Sequence, residues 1–143
     1  MSRILAVDLG DVRIGLAISD QSQTLASSYG YLQFKGYDDL VEKILSIARD
    51  EDVSEFVIGL PLNMDGSKGV QAGKAEKLAG LLRSKTQHPV NLVDERLSTV
   101  EATRQLHASG KKVRRGLVSQ KEQLDKIAAT IILQVFLDGK KSK

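Results

Sequence analysis

The chain contains no cysteine and no tryptophan, and its only histidines are His88 and His107. Without thiols there are no disulfides, no thiolate zinc sites and no cysteine nucleophile, and a cytoplasmic setting is the expectation. Two histidines are too few for zinc hydrolases that hold their metal with several imidazoles. Aromatic residues make up 4% of the chain, which favours recognition of any nucleic acid through shape and backbone over base stacking. No stretch approaches the roughly 20 apolar residues of a membrane-spanning helix, so no membrane partner is expected. The first residues, MSRILAVDLGD, carry one basic charge, a short apolar run and two acids, which is not the build of a signal peptide. Chemistry in this chain must therefore run on carboxylates, hydroxyls and basic groups.

What is present is ordinary globular material. The 143 residues, 41% hydrophobic and 27% charged, suit one domain over residues 1–138 and a short basic tail at 139–143. A chain of this length buries roughly 70% of the surface its unfolded form exposes and needs no covalent staples. The net charge of +3 hides an asymmetry. Residues 1–110 hold 12 Lys and Arg against 15 Asp and Glu, whereas residues 111–143 hold 9 against 3. A basic final third on an acidic body points to a polyanionic partner, or to a solubilising tail. Lys140, Lys141 and Lys143 suit the tail. Lys111, Lys112, Arg114 and Arg115 fall between two helical patterns, where a loop presents them.

Periodicity gives the elements. Residues 3–7 are apolar at consecutive positions, as in a strand covered on both faces. A turn signal at 9–13 leads to a second strand at 14–18, and the two form a hairpin. A third strand spans 25–34. A helix follows at 38–50, with Asp38 as its N-cap, then a strand at 55–60, a loop at 61–69 and a helix at 70–85. A short strand at 90–93 ends in Asp94, Glu95 and Arg96. Capping boxes at Ser98–Glu101 and Ser119–Glu122 open two more helices, one stopping at Gly110 and the other running over 120–137. The order β-β-β-α-β-α-β-α-α predicts an α/β fold: a mixed five-stranded sheet, a three-stranded meander then alternating helix and strand, with helices on both faces.

Three acids stand in unusual places. Asp8 ends an apolar strand, Glu95 follows another strand end, and Asp125 borders an apolar helical face with Ala128, Ala129 and Ile132 beside it. Acids are seldom buried unless paired or bound to a metal. If the C-terminal ends of two parallel strands meet one side of the last helix, the three carboxylates converge. Two carboxylates 4 Å apart repel by about 4 kcal/mol at an effective dielectric of 20. A proton or a cation must relieve that. Hard oxygen ligands without histidine or sulfur suit Mg²⁺ or Mn²⁺, and two such ions are the usual device for phosphodiester cleavage. Plainer roles exist for each: Asp8 as a turn former, Asp94-Glu95-Arg96 as a charged connection, Asp125 as a solvated acid beside Lys121. Arg13 stands where a bidentate guanidinium suits a scissile phosphate, or pairs with Asp11 or Asp20. Arg96 pairs with Asp94 or clamps a phosphate. Ser98 and Thr99 read as helix caps, and Asp65-Gly66 as a turn. A Ser-His-Asp triad on His88 has no supporting pattern.

Four segments in order, DLGDVRIGLAISD from Asp8 to Asp20, GLPLNMDG from Gly59 to Gly66, DERLST from Asp94 to Thr99 and DKIAATIILQ from Asp125 to Gln134, resemble the YqgF family, also called RuvX. The resemblance covers residues 3 to about 138. It implies an RNase H-like fold and an endonuclease with two Mg²⁺ or Mn²⁺ ions, proposed in the family either to mature the 5′ end of pre-16S rRNA or to resolve Holliday junctions. It implies Asp8, Glu95 and Asp125 as the acidic, metal-binding residues, with Asp94 a competitor to Glu95. It also implies basic residues before the last helix, where Lys112, Arg114 and Arg115 stand and where residues 116–118 separate Arg115 from the helix, with Lys121 in the first turn of the helix. With Arg13 and Arg96 these form the expected nucleic-acid contacts. Structured RNA, branched DNA or ribosomal particles are the expected partners of a monomer or weak homodimer. Two other readings stay open: a binding factor whose acids serve stability only, and an ATP-binding lobe of the actin and sugar-kinase type. The latter needs two such lobes.

Overall fold

Period-two alternation in the first strand decides how the layers stack. The computed structural model describes residues 2–10, 13–63, 65–96 and 120–141, with backbone only for 120–127 and 141. In β1 (Arg3–Leu9), Leu5, Val7 and Leu9 join one buried cluster, and Ile4 and Ala6 join a second on the other face. The strand is covered on both sides, as its continuous apolar run requires.

β1 pairs antiparallel with β2 (Arg13–Ser19), which pairs antiparallel with β3 (Ala26–Gln33). β4 (Val53–Leu60) lies parallel to β1, and β5 (Val90–Asp94) parallel to β4. The sheet order is β3-β2-β1-β4-β5, so the expected mixed five-stranded sheet is present. The C-terminal ends of β1, β4 and β5 open at one edge. Substrate sites of open α/β sheets form outside that edge.

Helices α1 (Tyr37–Glu51) and α2 (Val70–Lys85) cover one face. α1 buries Leu40, Val41, Ile44 and Ala48, and α2 buries Ala72, Ala75, Leu78, Ala79 and Leu82. Asp38 is not the N-cap of α1. Gly36 holds that position at φ 103° without a side-chain cap bond, and Asp38 and Asp39 stand in the first turn, where negative charge meets the positive end of the helix dipole. Residue 36 needs a left-handed backbone, which glycine adopts without strain.

The other face carries α3 (Gln120–Lys141), packed through Ala129, Ile132, Leu133 and Leu137 on Ile4, Ala6, Ala17 and Val57. Small sheet residues let this helix approach closely. Its C-terminal half is pinned at the edge opposite the strand C-termini. Gln134 Nε2 donates to the Thr24 carbonyl at 3.0 Å while Gln134 Oε1 accepts from the Ala26 amide at 2.9 Å, and Lys140 Nζ donates to Glu55 Oε1 at 2.7 Å. The expected helix at 98–110, both capping boxes and the basic stretch with Lys112, Arg114 and Arg115 lie outside the described residues.

Candidate active site

The strand period that buries Ala6 beneath α3 also places Asp8 on that face, two residues further along. The same rule works in β4, where Val57 packs under α3 and Gly59 follows two residues later. In β5, Leu92 packs toward α1 and α2 and Val93 toward α3. Continuing the alternation sends Asp94 away from α3 and Glu95 toward it. Parity thus separates the two adjacent acids that spacing alone left in competition.

Glu95 is buried, 8% exposed, and its carboxyl shares a hydrogen bond with Asp8. Gly59, between the two strands that carry these acids, makes the room. A methyl at position 59 would stand 2.8 Å from Glu95 Oε1 and 2.9 Å from its Cδ and Cγ. Burial pushes the Glu95 carboxyl far above the usual carboxylate range, and the hydrogen bond and negative charge of Asp8 push it further, with a smaller push from Asp94. A proton on Glu95 can then donate to Asp8. Two hydrogen-bonded acids, one of them buried, take up a proton when nothing more positive is at hand.

Asp94 has a different occupation. It accepts from the Arg96 backbone N–H at 2.9 Å, from Nε at 3.0 Å and from Nη2 at 2.7 Å, and those bonds hold its carboxyl below the usual range. Of the two roles weighed for Arg96, the structure therefore shows the pair with Asp94. Arg96 also faces the loop at 61–69: a methyl on Gly66 would stand 3.5 Å from Arg96 Nη1. Gly66, at φ 88°, turns that loop and donates to the Asn63 carbonyl at 2.8 Å. Arg13 lies on the Asp8 face of β2, its guanidinium 5.8 Å from the Tyr31 ring centre. The Asp20 carboxylate, one partner considered for Arg13, is engaged within its own turn by Ser22, Thr24 and Leu25.

Asp125 lies on α3, and its side chain and that of Lys121 are outside the described residues. Position 125 lies one helical turn before buried Ala129. Among the described residues no three metal-type ligands form a cluster; Asp8 and Glu95 are two. No described helix is long and apolar enough to cross a membrane.

Reading the sequence without its fold missed two positions. Gly59 was visible only as part of a motif, although a glycine inside an apolar strand signals close approach by a neighbour. Tyr31 read only as a strand residue. Its place beside the site depends on the register of β2 and β3.

A mixed sheet with acids at the C-terminal edge of its parallel strands defines an RNase H-like fold, and solved structures agree. Thermus thermophilus RuvC in complex with a Holliday junction superposes with a TM-score of 0.62 at 10% identity, over all of this chain and 98% of that one. The yeast mitochondrial Holliday junction resolvase Ydc2 gives 0.55 at 12% identity, over 99% and 82%. At such identities the likeness concerns fold. The family follows from sequence: the RuvX model, described as Holliday junction resolvase, matches residues 2–139, and the chain belongs to that family. A relative from Caldanaerobacter subterraneus subsp. tengcongensis is 42% identical over 98% of this chain and 99% of its own length. One from Anaeromyxobacter dehalogenans is 43% identical over 95% and 96%. Both bear the name "Putative pre-16S rRNA nuclease".

Proposed function

We propose that this protein is a divalent-cation-dependent endonuclease that processes the 5′ end of pre-16S rRNA, with Asp8, Glu95 and Asp125 as its acidic residues. The observation that carries the reading is buried Glu95 hydrogen-bonded to half-buried Asp8 at the C-terminal edge of the parallel strands. A hydrogen-bonded carboxyl pair that retains a proton for want of positive charge fits Mg²⁺ or Mn²⁺, which take oxygen ligands and offer the same neutralisation. Two ions held by these acids would supply activation of the attacking water and stabilisation of the leaving oxygen. Arg13, on the same face as Asp8, holds a phosphate near them. Arg96, locked by Asp94, keeps the loop at 61–69 in place beside the site. Lys112, Arg114, Arg115 and Lys121 are assigned to the backbone of the substrate, in a cytoplasmic protein that meets ribosomal precursor particles as a monomer or weak homodimer. The names of the 42–43% identical relatives favour RNA over the four-way junction.

The test is cleavage of labelled rRNA precursor and labelled four-way junction side by side, with Mn²⁺ and with chelator. RNA cleavage is expected, abolished by chelator and by Asp8→Asn or Asp125→Asn in folded protein. Mn²⁺ at ten times its Kd should also raise the melting temperature by about 3–6 °C, from about 1.4 kcal/mol of binding to the folded state alone. Asp8→Asn should remove that shift. Tight binding without cleavage by the wild type, equal with and without metal, would make the protein a binding factor. Preferential cutting of the junction would make it a resolvase.

A further inference from the structure

The aromatic residues are few but not scattered. Of the six Phe and Tyr in the chain, Tyr29, Tyr31 and Phe34 are exposed, and all three lie on β3 or at its exit. They differ in which way they face. Tyr31 pairs across β2 with Gly15, and Gly15 pairs with Asp8 on β1. Residues directly opposite each other in antiparallel strands share a face, so Asp8, Gly15 and Tyr31 form one row on the α3 side. The two outer members are about 10 Å apart, two strand spacings. The middle one has no side chain to stand between them. Arg13, two residues from Gly15 on the same face, sets its guanidinium 5.8 Å from the Tyr31 ring centre. Tyr31 nevertheless remains 48% exposed.

We propose that Tyr31, backed by Arg13, is a stacking platform for an unpaired base next to the phosphate that Arg13 holds near Asp8, so that the site takes strands locally free of pairing. The proposal rests on the nuclease reading for the identity of the ligand. A nucleobase fits by chemistry: every base has a π-face, aromatic stacking is tolerant of sequence, and a guanidinium beside the ring adds cation–π attraction and a phosphate partner. A base in a duplex is already stacked on its neighbours and cannot offer its face. The platform therefore discriminates by pairing state, and it adds base stacking to the backbone recognition expected from so low an aromatic content. A row of this kind forms only with the bulge between Leu16 and Ala17 in the β2–β3 pairing, which leaves Tyr31 opposite Gly15.

The experiment uses the full chain with Ca²⁺ in place of Mg²⁺ and two RNAs of the same stem. One has a single-stranded extension carrying 2-aminopurine; the other is a blunt, fully paired duplex. Anisotropy reads affinity, and 2-aminopurine fluorescence reads stacking. The wild type should quench the fluorophore. Tyr31→Ala should abolish the quench and weaken binding of the extended RNA about tenfold, the lower part of the range for loss of one stacked base, while leaving the duplex affinity unchanged. Tyr31→Phe and Tyr31→Trp should restore both readouts. Equal weakening for both RNAs, no weakening for either, or failure of Tyr31→Phe to restore the quench overturns the proposal. So does a wild type that binds neither RNA. Cleavage with Mn²⁺, assayed separately, reports on the nuclease reading. A wild type that binds and quenches but never cuts would sink that reading and leave the platform standing.

Discussion

Gly59→Ala tests whether the site depends on where Glu95 stands, without touching either acid. The Cβ of alanine would meet Glu95 Oε1 at 2.8 Å and its Cδ and Cγ at 2.9 Å. Carbon atoms settle at about 3.5–4.0 Å, so the Glu95 side chain must retreat by at least about 0.6 Å. The backbone asks for nothing special, because Gly59 is not among the described glycines with positive φ. Replacing glycine by alanine in such a conformation gains about 0.4–1 kcal/mol from the unfolded chain. Moving one buried side chain opposes that gain, so melting should stay within a few degrees of the wild type. Catalysis should not. A misplacement on the order of 1 Å lowers rates by about 100-fold, and here it falls on the hydrogen bond between Glu95 and Asp8. The assay is single-turnover cleavage of rRNA precursor with Mn²⁺, alongside circular dichroism and thermal unfolding. A double-mutant cycle with Glu95→Gln adds the discriminating measurement: once Glu95 is replaced, the alanine should cost little more, because both changes act on the same group. Full activity of folded Gly59→Ala would refute the reasoning. Additive losses in the cycle would show that Gly59 acts elsewhere.

Burial raises the Glu95 carboxyl above its ordinary 4.5, to about 10, so without metal the fold is stabilised by that proton below pH 4.5, and this contribution is lost as pH rises through the raised value. Metal-free wild type should therefore lose stability from about pH 5 to about pH 9, by up to about 1.4 kcal/mol per unit, and Glu95→Gln should flatten the profile; an already flat wild-type profile in thermal melts excludes a protonated, buried Glu95. Asp20 behaves oppositely. Bonds from Ser22, Thr24 and Leu25 hold its carboxyl below the ordinary 3.8, so its contribution is present above that value and lost as pH falls. Asp20→Ala should speed hydrogen exchange at the Thr24 and Leu25 amides at neutral pH, and unchanged exchange there would show that these bonds do not hold the turn. Replacing Arg114 and Arg115 by alanine should flatten the dependence of log affinity on log salt by up to about one unit per lost phosphate contact, at all sequences alike. Anisotropy at several salt concentrations checks this, and an unchanged slope means the cluster is solvated surface.

The sequence by itself determined the element order and the chemistry on offer. A continuous apolar run at 4–7 is a strand covered on both faces, the residues at 9–13 mark the turn after it, and the spacing of Leu40, Ile44 and Ala48 is a helix. The absence of cysteine and the scarcity of histidine left carboxylates to act. These are local properties, and local physics reads them. Tertiary structure decided which groups meet. Asp94 and Glu95 are neighbours with similar side chains, and only the seating of Val93 under α3 sends Glu95 to the buried face and leaves Asp94 to Arg96. Gly59 became part of the site because β4 lies between β1 and β5, an order that no single strand encodes. Tyr31 came level with Asp8 through two registers and a bulge. Asp38 lost the N-cap of α1 because Gly36 adopts the positive φ that begins the helix, a backbone choice that a side-chain pattern does not record. A strand's period fixes which way each residue faces, but the residue it faces comes from pairing between distant segments, and that is settled only when the whole sheet closes on its helices.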